Sequence, residues 1–160
     1  MKKIIFVATG EAHGSLVDST LTDVGKEQME QISRKLKEYT EGSSVHIICP
    51  NSTYGQQSGF SICSLLDATC DPISELYPKH DAKESNSARF ICAVEDQITI
   101  CKKDVLIVVT SKSLLPDAYF RFYVEKFPDA STIAPPVADN RDAYVIDNES
   151  GFTFISVKDK

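Results

Sequence analysis

Residues 3–11 read Lys-Ile-Ile-Phe-Val-Ala-Thr-Gly-Glu. The run from Lys3 to Val7 is β-branched and aromatic, which predicts a buried central strand. It stops at Ala8-Thr9-Gly10-Glu11, a turn of small residues ending in an acid. A strand that runs into a glycine turn is a common phosphate cradle. This turn, however, holds no Arg or Lys, and no His before His13.

Outward from that strand, helical and extended patterns alternate. Glu11–Thr20 reads as a polar loop. Thr22 is placed to cap a helix, since its hydroxyl can accept from a free backbone N–H, with Leu21 as a hydrophobic staple. Gly25, Met29, Ile32, Leu36 and Tyr39 then recur on one helical face. Gly25 on that face predicts close approach to the sheet. Glu41–Ser44 breaks the helix, Val45–Cys49 is a second strand, and Pro50-Asn51-Ser52 turns into a helix over Thr53–Leu66. Ile73–Leu76 is expected as a short extended piece, and His80–Asn86 as a polar loop. Ala88–Lys103 is a third helix facing inward through Phe90, Ile91, Val94, Ile98 and Cys101. Val105–Thr110 is the most strand-like run of the chain. An aromatic helix follows over Leu114–Phe127, Pro135-Pro136 marks a loop, and Ala143–Ile146 with Phe152–Val157 closes a hairpin through Asn148–Gly151. The expectation is one domain over residues 1–160. Its fold class is α/β: a three-layer sandwich with a mainly parallel central sheet and helices on both faces. In such sheets ligands bind beyond the carboxyl ends of the strands. This directs attention to Ala8-Thr9-Gly10, Pro50-Asn51-Ser52 and Ser111-Lys112.

Composition narrows the function classes. The chain has 160 residues, 42% hydrophobic and 25% charged, with a net charge of −6. That balance argues against a nucleic-acid or acidic-membrane binder, which needs a basic face. The apolar start after Met1-Lys2-Lys3 is too short for a secretory signal, and no run reaches membrane-spanning length. A cytoplasmic protein is expected. The five cysteines, Cys49, Cys63, Cys70, Cys92 and Cys101, are odd in number and lack C-x-x-C spacing. They are read as small buried hydrophobes rather than a metal site or a disulfide framework. No metal and no cofactor are expected.

These strand ends carry a resemblance. The sequence resembles the histidine phosphatase, or phosphoglycerate mutase-like, superfamily over nearly its whole length, and most nearly the small bacterial phosphohistidine phosphatases. Leu21-Thr22-x-x-Gly25-x-x-Gln28 matches the family's L-T-x-x-G-x-x-Q helix. Residues 48–62, ICPNSTYGQQSGFSI, fill the slot of its S-P-x-x-R-A-x-Q-T-A, with Pro50 and Gln56 in place. Ser74-Glu75-Leu76 falls where the family keeps an acid, and VLIVVTS fits its last core strand. The resemblance implies a mechanism in which a histidine attacks phosphorus. Two arginines and a second histidine neutralise the phosphoryl oxygens, and an acid protonates the leaving group. Carried over residue by residue, the Arg-His of the family's R-H-G falls on Ala8 and Thr9. The second arginine falls on Thr53 and the second histidine on Ser111. Only the acid, Glu75, is retained.

The resemblance therefore implies a vestigial pocket at Ala8, Thr9, Thr53, Glu75 and Ser111, with no catalytic residue. Candidate ligand contacts are Thr9, Gly10, Asn51, Thr53, Ser111, Lys112 and His13. Without cations beside it, Glu75 opposes phosphate binding. Other chemistry-bearing residues have plainer readings. His13 is a loop histidine that reaches the pocket only by swinging in. His46 is structural and His80 exposed. Cys49 lacks the arginine of a thiolate phosphatase, with Gly55 in its place. Ser111 and Lys112 are adjacent, so their side chains diverge. Arg89, Arg121 and Arg141 have no assigned place. The leading expectation is a degenerate, catalytically silent protein that binds a small anion or a protein partner, as monomer or homodimer. One alternative is a divergent phosphohydrolase rebuilt around His13, Cys49 or Ser111. Another is an interaction module acting through the aromatic helix at 114–127.

Overall fold

Six strands form a single sheet in the order β3-β2-β4-β1-β5-β6. The computed structural model describes residues 1–14, 16–76, 86–125, 127, 140–147 and 151–157, the side chain of Glu75 excepted, and every statement below concerns these. The chain runs β1 (Lys3–Ala8), α1 (Asp23–Tyr39), β2 (Val45–Pro50), α2 (Thr53–Leu66) and β3 (Thr69–Ile73). A 3₁₀ turn over Ser74–Leu76 follows, then α3 (Asn86–Ile100) and β4 (Val105–Thr110). A 3₁₀ turn (Lys112–Leu114), a short α4 (Leu115–Ala118) and a π-helical turn (Tyr119–Val124) lead to β5 (Asp142–Asp147) and β6 (Gly151–Ser156).

The strands β3, β2, β4 and β1 are parallel, while β5 and β6 are antiparallel. The sheet is mainly parallel, as the alternating pattern implies. Its two faces carry separate apolar cores. On one, Ile5, Val7, Ile47, Ile107 and Val109 meet Met29, Ile32 and Leu36 of α1 and Ile62 of α2. On the other, Ile4, Phe6, Ile48, Leu106 and Val108 meet Phe90 and Val94 of α3, and Leu115, Ala118 and Tyr119. Each large side chain buried this way contributes roughly 1.5–3 kcal/mol. The two faces together fix which strands lie inside.

The helix α1 forms where its cap and face predict. Thr22 Oγ1 accepts from the Gly25 N–H at 2.9 Å, and Gly25, Met29, Ile32 and Leu36 are buried. Gly25 does make a close approach, but to the loop after β1 rather than to the sheet. A Cβ added there would lie 2.0 Å from the Glu11 carbonyl oxygen.

Two expectations are corrected. The extended piece placed at Ile73–Leu76 is instead β3 at Thr69–Ile73 followed by a 3₁₀ turn. Asp67, left-handed at φ 53, caps α2 and swings the chain into this strand. Pro72 and Asp71 mask the strand in the sequence, and an edge strand tolerates both. The aromatic helix is not one regular helix but passes from a 3₁₀ turn through α4 into a π turn. Pro116 at its start removes a donor, and the π turn re-aims the rings. Tyr119 stacks edge-on against Tyr144 and Phe152, and Phe122 stacks on Phe6. Among the described aromatic residues of this segment, Phe120 alone is exposed, at 45%. His80, Pro135-Pro136 and Asn148–Ser150 lie outside the described residues.

Candidate functional site

The parallel register brings the predicted strand ends together. Ala8 pairs with Thr110, so the turn after β1 lies beside Ser111 and Lys112. The end of β2 leads into Asn51, Ser52 and Thr53 on the far side of β4. The ends of β1, β4 and β2 thus lie along one edge of the sheet, and the described residues there are held by different devices.

Ala8 is fully buried and Thr9 nearly so. The Thr9 N–H donates to the Thr110 carbonyl at 2.8 Å, and its own carbonyl accepts from Asn140 Nδ2 at 2.8 Å. The Gly10 N–H, a candidate anion donor, instead donates to Ser58 Oγ on α2 at 3.2 Å. A Cβ on Gly10 would meet the Gly25 carbonyl at 2.6 Å, so the turn is pressed directly onto α1. The Glu11 N–H donates to Gln28 Oε1 at 2.9 Å, and the Leu21 N–H to Gln57 Oε1 at 2.8 Å. The Leu-Thr-x-x-Gly-x-x-Gln motif therefore has a structural use: cap, crossing and glutamine all clamp the loop that leaves β1.

The amino terminus of α2 is also occupied from within. A helix start offers free N–H groups and a positive dipole end to an anion. Here the Thr53 N–H donates to the Val17 carbonyl at 2.8 Å, and the Gly55 N–H to Ser52 Oγ at 3.1 Å. The 11–20 loop thus folds over α2 and leaves Leu16 and Val17 67% and 56% exposed. Asn51 is held by three bonds. Its N–H donates to the Ile73 carbonyl, its Oδ1 accepts from Gln56 Nε2, and its Nδ2 donates to Ser74 Oγ. Ser111 Oγ accepts from the Ser113 N–H and shares a 2.7 Å hydrogen bond with Ser113 Oγ. Lys112 is exposed.

Two buried polar groups flank Ala8 that the sequence did not single out. Thr110 Oγ1 is fully buried and has no hydrogen-bond partner. Asp142 is fully buried at the start of β5, one step beyond the Val7–Ala143 pair. Strand alternation sets both on the face shared by Ala8 and Tyr144. Burial pushes the Tyr144 hydroxyl up to about 12, and the Asp142 carboxylate adds to the shift. A carboxylate therefore stands beside the position where the resemblance places an arginine. Only the β1–β5 register could have revealed it.

The remaining candidates do not converge on this rim. His13 is exposed, and its backbone N–H donates to the Thr20 carbonyl. Cys49 is fully buried in the core between the sheet and α1–α2, where its sulfur accepts from Cys70 at 3.1 Å. His46 pairs with Asp71 at 3.3 Å across β2 and β3. Arg121 bridges Glu95 and Glu125 on the outer surface. Arg141 lines a small cavity with Val24, Glu27, Gln28 and Gln31 of α1. Arg89 on α3 has a buried Nη1 without a partner. The backbone of Glu75 lies in the 3₁₀ turn after β3, and its side chain lies outside the described residues.

No family model matches this sequence, and no curated protein matches it. Solved structures do match it over nearly its full length. A protein histidine phosphatase SixA complexed with tungstate is 14% identical, with TM-score 0.69 over 96% of this chain and 94% of that one. A candidate phosphohistidine phosphatase SixA from Nakamurella multipartitia gives TM-score 0.71 at 12% identity, over 96% and 93%. A mycobacterial glucosyl-3-phosphoglycerate phosphatase in complex with VO3 gives 0.66 at 10% identity, over 98% of both chains.

Proposed function

This chain has the histidine phosphatase, phosphoglycerate mutase-like, fold, and we propose that it is a catalytically silent protein built on it. One observation carries the reading. Where the resemblance carries the family's nucleophile and cations, this chain has Ala8, Thr9, Thr53 and Ser111, and the backbone N–H groups of Thr9, Gly10 and Thr53 are taken up within the protein. The Gly10 N–H is spent on Ser58, and the Thr53 N–H on Val17. The chemistry needs a nucleophile for the covalent route and donors preorganised around the phosphoryl oxygens. Loss of a single such donor costs about 2.7–4 kcal/mol of transition-state stabilisation.

On this reading the rim is a binding surface rather than a reaction centre. A ligand seated there meets the partly exposed hydroxyls of Thr53 and Ser111, which can bond a polar group without activating it. The exposed Leu16 and Val17 on the loop over α2 favour a partner with an apolar contact. The rebuilt-hydrolase alternative loses support. His13 has no side-chain bond to Cys49 or Ser111 among the described residues, and Cys49 is buried away from the rim.

The test is turnover of a generic phosphoester and of phosphohistidine peptides. No release of phosphate above buffer is expected. Release that disappears in Thr9→Ala or Glu75→Ala would overturn the reading.

A further inference from the structure

Away from the rim, three cysteines from three elements meet under α2. Cys70 of β3 donates to Cys49 of β2 at a sulfur–sulfur distance of 3.1 Å. Cys63 of α2 packs against the same apolar cluster as Cys49 and Cys70. Gly59 makes room for the cluster. A Cβ there would lie 2.7 Å from the Cys70 sulfur, 2.8 Å from Cys49 Cβ and 3.0 Å from the Cys49 sulfur. All three cysteines are free thiols. Cys49 is buried, while Cys63 and Cys70 are partly exposed.

The separation discriminates between chemistries. Two thiolates on one tetrahedral zinc, each ~2.3 Å from the metal, sit roughly 3.8 Å apart, wider than this pair. Among the described residues no group of His, Cys, Asp or Glu is spaced to hold a metal ion. Closing the pair to a disulfide asks for only about 1 Å of movement, to ~2.05 Å. The pair joins the edge strand β3 to β2 as diagonal neighbours, since Cys70 is paired with Ile47 and Cys49 with Pro72, so closing the bond draws the edge strand toward β2.

We propose that Cys49, Cys63 and Cys70 form a thiol-exchange site, where a low-molecular-weight disulfide oxidises Cys49 and Cys70 to an intramolecular disulfide. The Cys70 sulfur, as thiolate, attacks one sulfur of the small disulfide. A mixed disulfide forms on Cys70, and one small thiolate leaves with a proton from solvent. The Cys49 sulfur, losing its proton, then attacks the Cys70 sulfur and expels the second small thiol. Two protein thiols are oxidised, and one small disulfide is reduced to two thiols. Cys63, packed into the same cluster, flanks the Cys70 sulfur during the first attack.

The hydrogen bond to Cys49 raises the Cys70 thiol to about 12 against a lowering effect of Cys63, with burial and the Asp71 carboxylate adding to the rise. The neighbouring Cys70 thiol and burial raise Cys63 further, with Asp71 contributing. Both are protonated at neutral pH, so exchange is slow there and accelerates in mild alkali. The bond would clamp β3 just ahead of Ile73 and Ser74, which hold Asn51 at the rim.

The experiment incubates the whole protein with millimolar glutathione disulfide at mildly alkaline pH, then blocks free thiols and maps peptides without reduction. The expected result is loss of two of the five free thiols, in a single Cys49–Cys70 cross-link. The same cross-link is expected in Cys63→Ser, forming more slowly, and none in Cys70→Ser. If Cys70→Ser does not fold, the wild-type map decides alone. Five free thiols, glutathione retained on Cys92 only, or a Cys63–Cys70 bond would each overturn the proposal.

Discussion

Replacing Gly25 with alanine sets two effects of opposite sign against each other. In an exposed helix interior, Gly→Ala stabilises by about 0.8–1 kcal/mol through backbone entropy. At this position the added methyl would sit 2.0 Å from the Glu11 carbonyl oxygen and 2.9 Å from the Glu11 backbone nitrogen and carbon. These are backbone atoms, so no rotamer change relieves the overlap. The loop after β1 must lift off α1 by about an ångström or more. Overpacking of this kind costs about 1–3 kcal/mol. Lifting the loop also strains the bond from the Thr22 N–H to the Glu11 carbonyl, 3.0 Å, and that from the Glu11 N–H to Gln28, 2.9 Å. Each is worth about 1 kcal/mol. Setting the propensity gain against these losses, Gly25→Ala should destabilise by about 2–4 kcal/mol. Urea unfolding followed by circular dichroism measures it, with the exposed Lys26→Ala as control. A lower midpoint at constant slope is expected for Gly25→Ala and almost none for the control. A midpoint unchanged or raised would refute the crossing of the loop and α1, because helix propensity alone would then have decided the outcome.

Two further perturbations probe the same architecture. Ser58→Ala strands the Gly10 N–H and removes the hydroxyl's own bond to the Tyr54 carbonyl. A loss of about 1–3 kcal/mol by urea unfolding is expected, whereas wild-type stability would mean that the turn is held by something other than α2. Stability should also fall in alkali. The folded Tyr144 is raised to about 12 by burial and Asp142, against ~10 in the unfolded chain. A raised phenol favours its neutral form in the fold. Its contribution is therefore complete below pH ~10 and lost as pH climbs through the folded value, at most about 2.7 kcal/mol for two units. Tyr119, also raised by burial, acts in the same direction. Urea midpoints that hold steady from pH ~9 to ~12, with tyrosinate absorbance rising before unfolding, would contradict the buried ring cluster.

Side-chain periodicity and capping made much of the fold legible. Thr22 announced α1, the turn at Pro50-Asn51-Ser52 announced α2, and the apolar run at Val105–Thr110 announced the strand beside β1. Edge strand β3 escaped because Asp71 and Pro72 spoil its pattern. The π turn escaped because its period differs from the helix around it. At the candidate site the absence of charge at Ala8, Thr9, Thr53 and Ser111 could be read directly. What fills the site could not. The Val17 carbonyl on the Thr53 N–H is a backbone-to-backbone bond, and such bonds leave no trace in residue type. Asp142 and Thr110 come to flank Ala8 only through strand register. The cysteine cluster likewise depends on β2 and β3 being neighbours, which no C-x-x-C spacing signals.

Catalytic silence is tested most directly in a single turnover. A phosphohistidine peptide is mixed with the protein in molar excess, and phosphorus resonances are followed while intact mass monitors the protein. The peptide is expected to lose phosphate at the rate seen without protein, and the protein to gain no phosphoryl group. Accelerated loss, or a protein heavier by one phosphoryl group, would contradict it.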